Sequence, residues 1–164
     1  MTPPVLSGFD LEPINRLGRE LVAVGRLWRR LLSQQVSVLG LPDAQWSLLD
    51  NLDRYGDGIS QKALAERLGL EPTAVVRVLR DMEANRLVVR DRQPKDTRNR
   101  LVRLTDEGRS LASKIAEIAR DCDREVLRDF DAAALVSFAA RLAAIRERIE
   151  AMHRMKAKHS PQEA

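Results

Sequence analysis

The stretch from Ser60 to Met82 limits the fold more than any other part of the chain. Ser60 precedes a short patterned run of Ala63, Leu64, Ala65 and Leu68, and Gly69 closes it. Serine caps a helix start with its hydroxyl, and glycine readily takes the left-handed conformation that ends one. Leu70 and Glu71 then lead to Pro72, whose missing N–H costs nothing in a first turn. A second run follows, with Val75, Val78, Leu79 and Met82 at helical spacing and Thr73, Arg77 and Arg80 along the opposite side. Two short amphipathic helices joined by a tight glycine turn form a helix-turn-helix.

The segment after it changes period. Leu87-Val88-Val89-Arg90 and Leu101-Val102-Arg103-Leu104 are β-rich runs on either side of a polar loop, Gln93-Pro94-Lys95-Asp96-Thr97-Arg98-Asn99-Arg100. That pattern predicts a β-hairpin with a basic tip, a wing. Thr105-Asp106-Glu107 reads as the cap of the next helix, and Tyr55-Gly56-Asp57-Gly58 as a turn cluster ahead of the helix-turn-helix.

Both ends read as long helices. Pro13 fits a first turn, and Leu17, Leu21, Val24, Trp28 and Leu31 recur at alternating four- and three-residue steps. Leu41-Pro42-Asp43 breaks that helix and is expected to cap a shorter one carrying Trp46, Leu48, Leu49 and Leu52. From about Asp106, Leu111, Ile115, Ile118 and Cys122 form a stripe, and Leu135, Phe138, Leu142, Ile145, Ile149 and Met152 form a second seam. Narrow seams with few aromatics need partner helices. Intertwined terminal helices from two chains would supply them, a monomeric bundle being the other solution. The organisation expected is a helical dimerisation region of 10–40 and 106–156, a winged helix-turn-helix lobe of 43–105, and a disordered tail of 157–164.

Charge is unevenly spread. Residues 60–105 carry 11 Lys/Arg against 6 Asp/Glu, whereas the remainder carries 17 against 18. A basic middle between neutral flanks suits a polyanion, although charge alone does not separate it from an ordinary solvated surface. No apolar run approaches the length of a membrane span, no signal-peptide pattern opens the chain, and one cysteine makes no internal disulfide, so a soluble cytoplasmic protein is expected. Cys122 falls at a seam position, where a core role is expected rather than a sensing one. Glu150 and His153 share a spacing that helical di-metal sites use, but further carboxylate ligands are missing. Without a phosphate-cradling glycine loop, nucleophile elbow or paired cysteines, no enzyme, cofactor or metal is expected.

Ser60-Gln61-Lys62-Ala63-Leu64-Ala65-Glu66-Arg67-Leu68-Gly69, Val75-Val76-Arg77-Val78-Leu79, Asp96-Thr97-Arg98 and Leu104-Thr105 together resemble the MarR family of bacterial regulators. Leu27-Trp28-Arg29-Arg30 and Gln45-Trp46 look more like its SlyA branch. The resemblance spans about 12–150. It implies a mainly α, obligately dimeric winged helix-turn-helix protein that binds pseudo-palindromic promoter DNA as a repressor or anti-silencer. It also implies release of DNA when a small aromatic or phenolic ligand binds between the dimer helices and the DNA-binding lobe. Family pockets lie near Trp28 and Trp46, with Arg16 or Arg19 expected to meet a carboxylate. Two departures stand out. The wing reads Asp96-Thr97-Arg98 where Asp-Arg-Arg is common, and Arg86 replaces the usual glycine before the first wing strand. Either Arg86 or, by a one-residue shift, Asn85 must then take the left-handed turn.

On that frame the residues divide by task. Arg77, four residues past Thr73, points from the same face into a major groove, where its fork can hold guanine O6 and N7; pairing with Asp81 is its other use. Ala74 lies beside them. Arg98 is expected in the minor groove, with Asp96 shaping the tip. Ser60, Gln61, Arg92, Lys95, Arg100 and Arg103 are candidate phosphate contacts, or ordinary surface groups. The rival reading is a dimeric adaptor that no longer touches DNA, which has no reason to keep a basic wing and Arg77 together.

Overall fold

The computed structural model describes residues 11–56, 58–93 and 96–159; the side chains of 11–15, 55, 92–100, 154 and 156–159 are outside the description. In chain order the elements are α1 (Leu11–Val36), a 3-10 turn (Ser37–Leu39), α2 (Asp43–Tyr55), β1 (Ile59–Ser60), α3 (Gln61–Leu68), α4 (Pro72–Ala84), β2 (Val88–Gln93), β3 (Asp96–Leu104), α5 (Asp106–Leu127) and α6 (Ala132–His159). Two compact units divide in sequence between Asp123 and Arg124.

The first unit is mostly helical, with a small antiparallel sheet of order β1-β3-β2. Its core draws on almost every element. Leu48, Leu49 and Leu52 of α2, Leu64 of α3, Val75, Leu79 and Met82 of α4, Val88 and Val102 of the sheet and Ile115 of α5 are all buried. Leu32, Leu39 and Leu41 pack on it from the α1 end. Burying a side chain of this size contributes about 1.5–3 kcal/mol, so this cluster holds the lobe together.

Helix ends follow the local chemistry. Ser60 Oγ accepts from the Ala63 N–H at 3.2 Å, capping α3, and Gly69 closes it at φ 62°. Leu70 N–H reaches Ala65 O and Gly69 N–H reaches Glu66 O, which satisfies carbonyls the helix leaves open. α4 ends the same way, with Leu87 N–H on Met82 O and Arg86 N–H on Glu83 O. Here the left-handed residue is Arg86, at φ 57°, while Asn85 stays at φ −86°. The one-residue shift does not occur, because the hydrogen-bond pattern fixes the position after the cap.

The structure refines two of the expected boundaries and corrects a third. Within Leu41-Pro42-Asp43, Pro42 holds the N-cap position of α2 without a side-chain bond, and Asp43 is the first helical residue, accepting from Trp46 Nε1 at 3.2 Å. The first helix stops at Val36, and a 3-10 turn closed by Gly40 at φ 68° continues to Leu39. The hairpin strands also run further than their apolar alternation, β2 to Gln93 and β3 from Asp96. Ladder hydrogen bonds are made by backbone, so a strand that leaves the core continues with polar side chains on both faces.

At the root of the hairpin one hydroxyl joins three elements. Thr105 Oγ1 accepts from the Gly108 N–H at 3.0 Å, capping α5, and donates to Arg86 O at 2.5 Å. Gly108 packs so closely that a Cβ would lie 2.0 Å from Leu87 O.

In the second unit Asp131 caps α6, its Oδ2 accepting from the Ala134 N–H at 2.8 Å. Leu135, Leu142 and Ile145 are half-buried, whereas Val136, Phe138, Ile149, Met152 and Met155 are exposed. α6 is helical through His159, and 160–164 fall outside the described residues. Among the described residues no helix is long and apolar enough to cross a membrane.

Candidate nucleic-acid interface

α4 is anchored by one face and bare on the other. Val75, Leu79 and Met82 are buried, while Thr73, Ala74, Arg77 and Arg80 are exposed. Thr73 and Arg77 are four residues apart and so share a face. The Arg77–Asp81 pairing that the spacing allows does not form, and Arg77 has no ion pair or hydrogen bond among the described residues. An arginine left unpaired on an exposed helix face is available for an external acceptor.

α3 sits ahead of α4 with its first turn capped. Ser60 and Gln61 at its start are half-buried, and the Gln61 amide nitrogen is buried with no partner among the described residues. The wing is the β2–β3 hairpin. Backbone pairing runs from Val88↔Leu104 to Gln93↔Asp96, with an irregularity between Arg92 and Gln93. Arg92 lies on β2, and Asp96, Arg98 and Arg100 on β3, but their side chains are outside the described residues, as is Lys95 altogether. Arg103, at the hairpin root, is tied across the strands to Asp91 at 3.0 Å.

The hairpin carries a feature that sequence reading missed. Arg90 follows Val88 at a two-residue step, on the side of β2 that faces the core, opposite the fully buried Val102. A guanidinium there needs a partner. Glu83, in the last turn of α4, accepts from both Nε, at 2.9 Å, and Nη2. The strand alternation of Val88 and Arg90 was the available signal for a buried cation.

The comparisons with known proteins agree with this arrangement. The MarR family profile matches residues 39–99, which span α2 to the wing. The solved transcriptional regulator PA3341 is 30% identical, with a TM-score of 0.74, over 82% of this chain and 98% of that one. The chain belongs to the MarR family. Two further structures share the fold. A mutant of MarR from E. coli, complexed with operator DNA, is 24% identical with a TM-score of 0.67, covering 84% of this chain and 99% of that chain. CouR from Rhodococcus jostii RHA1, bound to p-coumaroyl-CoA, is 23% identical with a TM-score of 0.67, covering 79% and 90%. PA3341 and a MarR protein of Methanosarcina mazei Go1 that shares the fold are transcriptional regulators.

This MarR-family chain also has a cavity of about 350 Å³ between α1 and α2. Trp28, Arg29, Leu32, Trp46, Ser47 and Asp50 are among its walls. The Arg29 guanidinium stands 5.4 Å from the Trp46 ring centroid, and its Nη1 donates to Ser47 Oγ at 3.4 Å. Asp50 is held by Arg54 at 2.9 Å. Of the four residues expected at a pocket, the structure brings Trp28 and Trp46 together there. Arg16 and Arg19 are exposed and not among the lining residues, and Arg16 pairs with Glu20 at 3.7 Å. Nine or more residues of helix separate them from Trp28, roughly 14 Å or more of rise. Arg29, next to Trp28 in sequence, is the cation at the wall.

Cys122 is buried in α5. Burial pushes its thiol up, and the neighbouring Asp123 and Asp121 carboxylates push it further. A thiol so shifted is a poor nucleophile at neutral pH. Among the described residues, no cluster of His, Cys, Asp and Glu could hold a metal ion.

Proposed function

We propose that the protein is a dimeric, sequence-specific regulator that occupies pseudo-palindromic promoter DNA, as a repressor or anti-silencer, and releases it on binding a small aromatic acid. The observation that carries this is the unpaired Arg77 beside Thr73 on the exposed face of α4. A helix of this kind fits the major groove, with Arg77 bidentate on a guanine and Thr73 and Ala74 against neighbouring base edges. The hairpin brings Arg98 to the adjacent minor groove, with Asp96 shaping its tip. Ser60, Gln61, Arg92, Lys95 and Arg100 meet phosphates. That a MarR mutant of this fold is complexed with operator DNA supports the reading.

The dimer would form through α1 and α6, whose apolar side chains at Leu17, Val24, Phe138 and Ile149 are exposed in the single chain. The effector would occupy the α1–α2 cavity, its ring against Trp28 and Trp46 and its carboxylate on Arg29. The bound p-coumaroyl-CoA of CouR supports an aromatic ligand. Leu27-Trp28-Arg29-Arg30 and Gln45-Trp46, of which Trp28, Arg29 and Trp46 line the cavity, favour the SlyA-like side of the family.

The test begins with DNA fragments enriched by the purified protein from its own genome. Arg77→Ala should weaken binding to the enriched site by about 1–3 kcal/mol and relax one base position per half-site. Binding of Arg77→Ala with native affinity and native base preference would overturn the reading in favour of a DNA-independent adaptor. In the same assay, salicylate or a related aromatic acid should displace the native protein and not the Arg29→Ala variant.

A further inference from the structure

The exposed stripe of α4 does not end at Arg77. Thr73, Arg77, Arg80 and Ala84 recur at four-, three- and four-residue steps, opposite the buried Val75, Leu79 and Met82. Arg80 is exposed and has no ion pair or hydrogen bond among the described residues. Within three or four residues along the helix, the positions that could neutralise it are Val76, Arg77, Glu83 and Ala84, so Glu83 is its one local carboxylate. Glu83 is already engaged, accepting twice from Arg90. The Arg90 side chain is only 11% exposed, against 39% for Glu83, and its place on the core-facing side of β2 leaves it little water to turn to. The largely buried arginine therefore claims the carboxylate, and the exposed one is left without it.

We infer that Arg80 is a second DNA-binding cation of α4, kept available because Arg90 sequesters Glu83. The inference rests on the DNA-binding reading above. It assigns Arg80 a different task from Arg77. Residues at the start of a recognition helix reach base edges. Arg80 lies seven residues beyond Thr73, about 10 Å further along the axis, where the helix passes the groove wall. Its partner is a backbone phosphate. Glu83 and Arg90 are positioning residues, acting on DNA through Arg80.

Binding titrations of full-length native protein and variants on the enriched DNA site, at several salt concentrations, test this. Arg80→Ala should weaken binding about five- to tenfold, equally across single-base variants of the site. The slope of log affinity against log salt should fall by about one for each Arg80 removed, as one phosphate contact is lost. Arg90→Gln, which releases Glu83, should produce the same loss of affinity and slope. Adding Glu83→Gln to it should restore both, a recovery that a purely structural role would not give. If circular dichroism shows Arg90→Gln unfolded, the Arg80→Ala series decides alone. Native affinity and slope in Arg80→Ala would overturn the inference, as would a loss confined to one base position. Failure of the native protein to bind any DNA would instead sink the broader reading. Weak Arg77→Ala beside native-like Arg80→Ala would sink only this one.

Discussion

Arg86 is the described non-glycine residue whose backbone lies in the left-handed region, and its side chain is exposed. A Cβ in that conformation costs about 1–2 kcal/mol. Glycine there would remove the strain but loosen the unfolded chain by roughly 0.5–1 kcal/mol. The first effect is the larger, so Arg86→Gly should stabilise the protein by about 0.5–1 kcal/mol. Thermal unfolding would show this as a rise of a few degrees; a lower midpoint would mean that the arginine makes a compensating contact. The sequence narrowed the left-handed position to Arg86 or Asn85 and could not choose between them. The choice depends on which amide reaches back to Met82 O and Glu83 O, a matter of three-dimensional register that residue type does not carry.

Among elements, the α4–β2–α5 junction depends on the Thr105 hydroxyl. Its cap on α5 contributes about 0.5–2 kcal/mol, and its bond to the Arg86 carbonyl about 0.5–1.5 kcal/mol more. Thr105→Val, of nearly equal volume, should therefore destabilise by about 1–3 kcal/mol, whereas Thr105→Ser should keep most of the stability. Urea unfolding would show a lower midpoint at an unchanged slope; equal midpoints for the three proteins would exclude the hydroxyl's double role. The capping half of this was legible, because Thr-Asp-Glu ahead of a patterned run is a local signal. The bond to Arg86 was not, since it joins residues 19 apart. The same division holds elsewhere. Helices α3 and α4, with their periodicity and end residues, could be read directly. Two-residue β1 has no period to detect, and its pairing of Ile59 with Val102 exists only in the folded sheet. In the cavity, Trp28 and Trp46 were legible through the family resemblance, but the choice of arginine was not. Arg16, Arg19 and Arg29 are alike in type, and only the contacts with Trp46 and Ser47 of α2 select the last.

For the molecule as a whole, α1 and α6 each carry exposed apolar side chains. Phe138 is 52% exposed and Val136 72% exposed in a single chain. On the dimer reading these side chains are covered by a second copy, and the folded monomer is not stable alone. Leu142→Asp, in the α6 seam, should then abolish both self-association and DNA binding. Sedimentation of native protein at micromolar concentration checks the premise, and a folded monomer there would refute it. The bare face of α6 also has a consequence for how the protein responds to its own abundance. If only paired chains engage a site, then below the dimer dissociation constant occupancy grows with the square of chain concentration. A twofold change in synthesis would move site occupancy nearly fourfold while the site is mostly empty. Dilution at cell growth would clear the promoter without any effector at all.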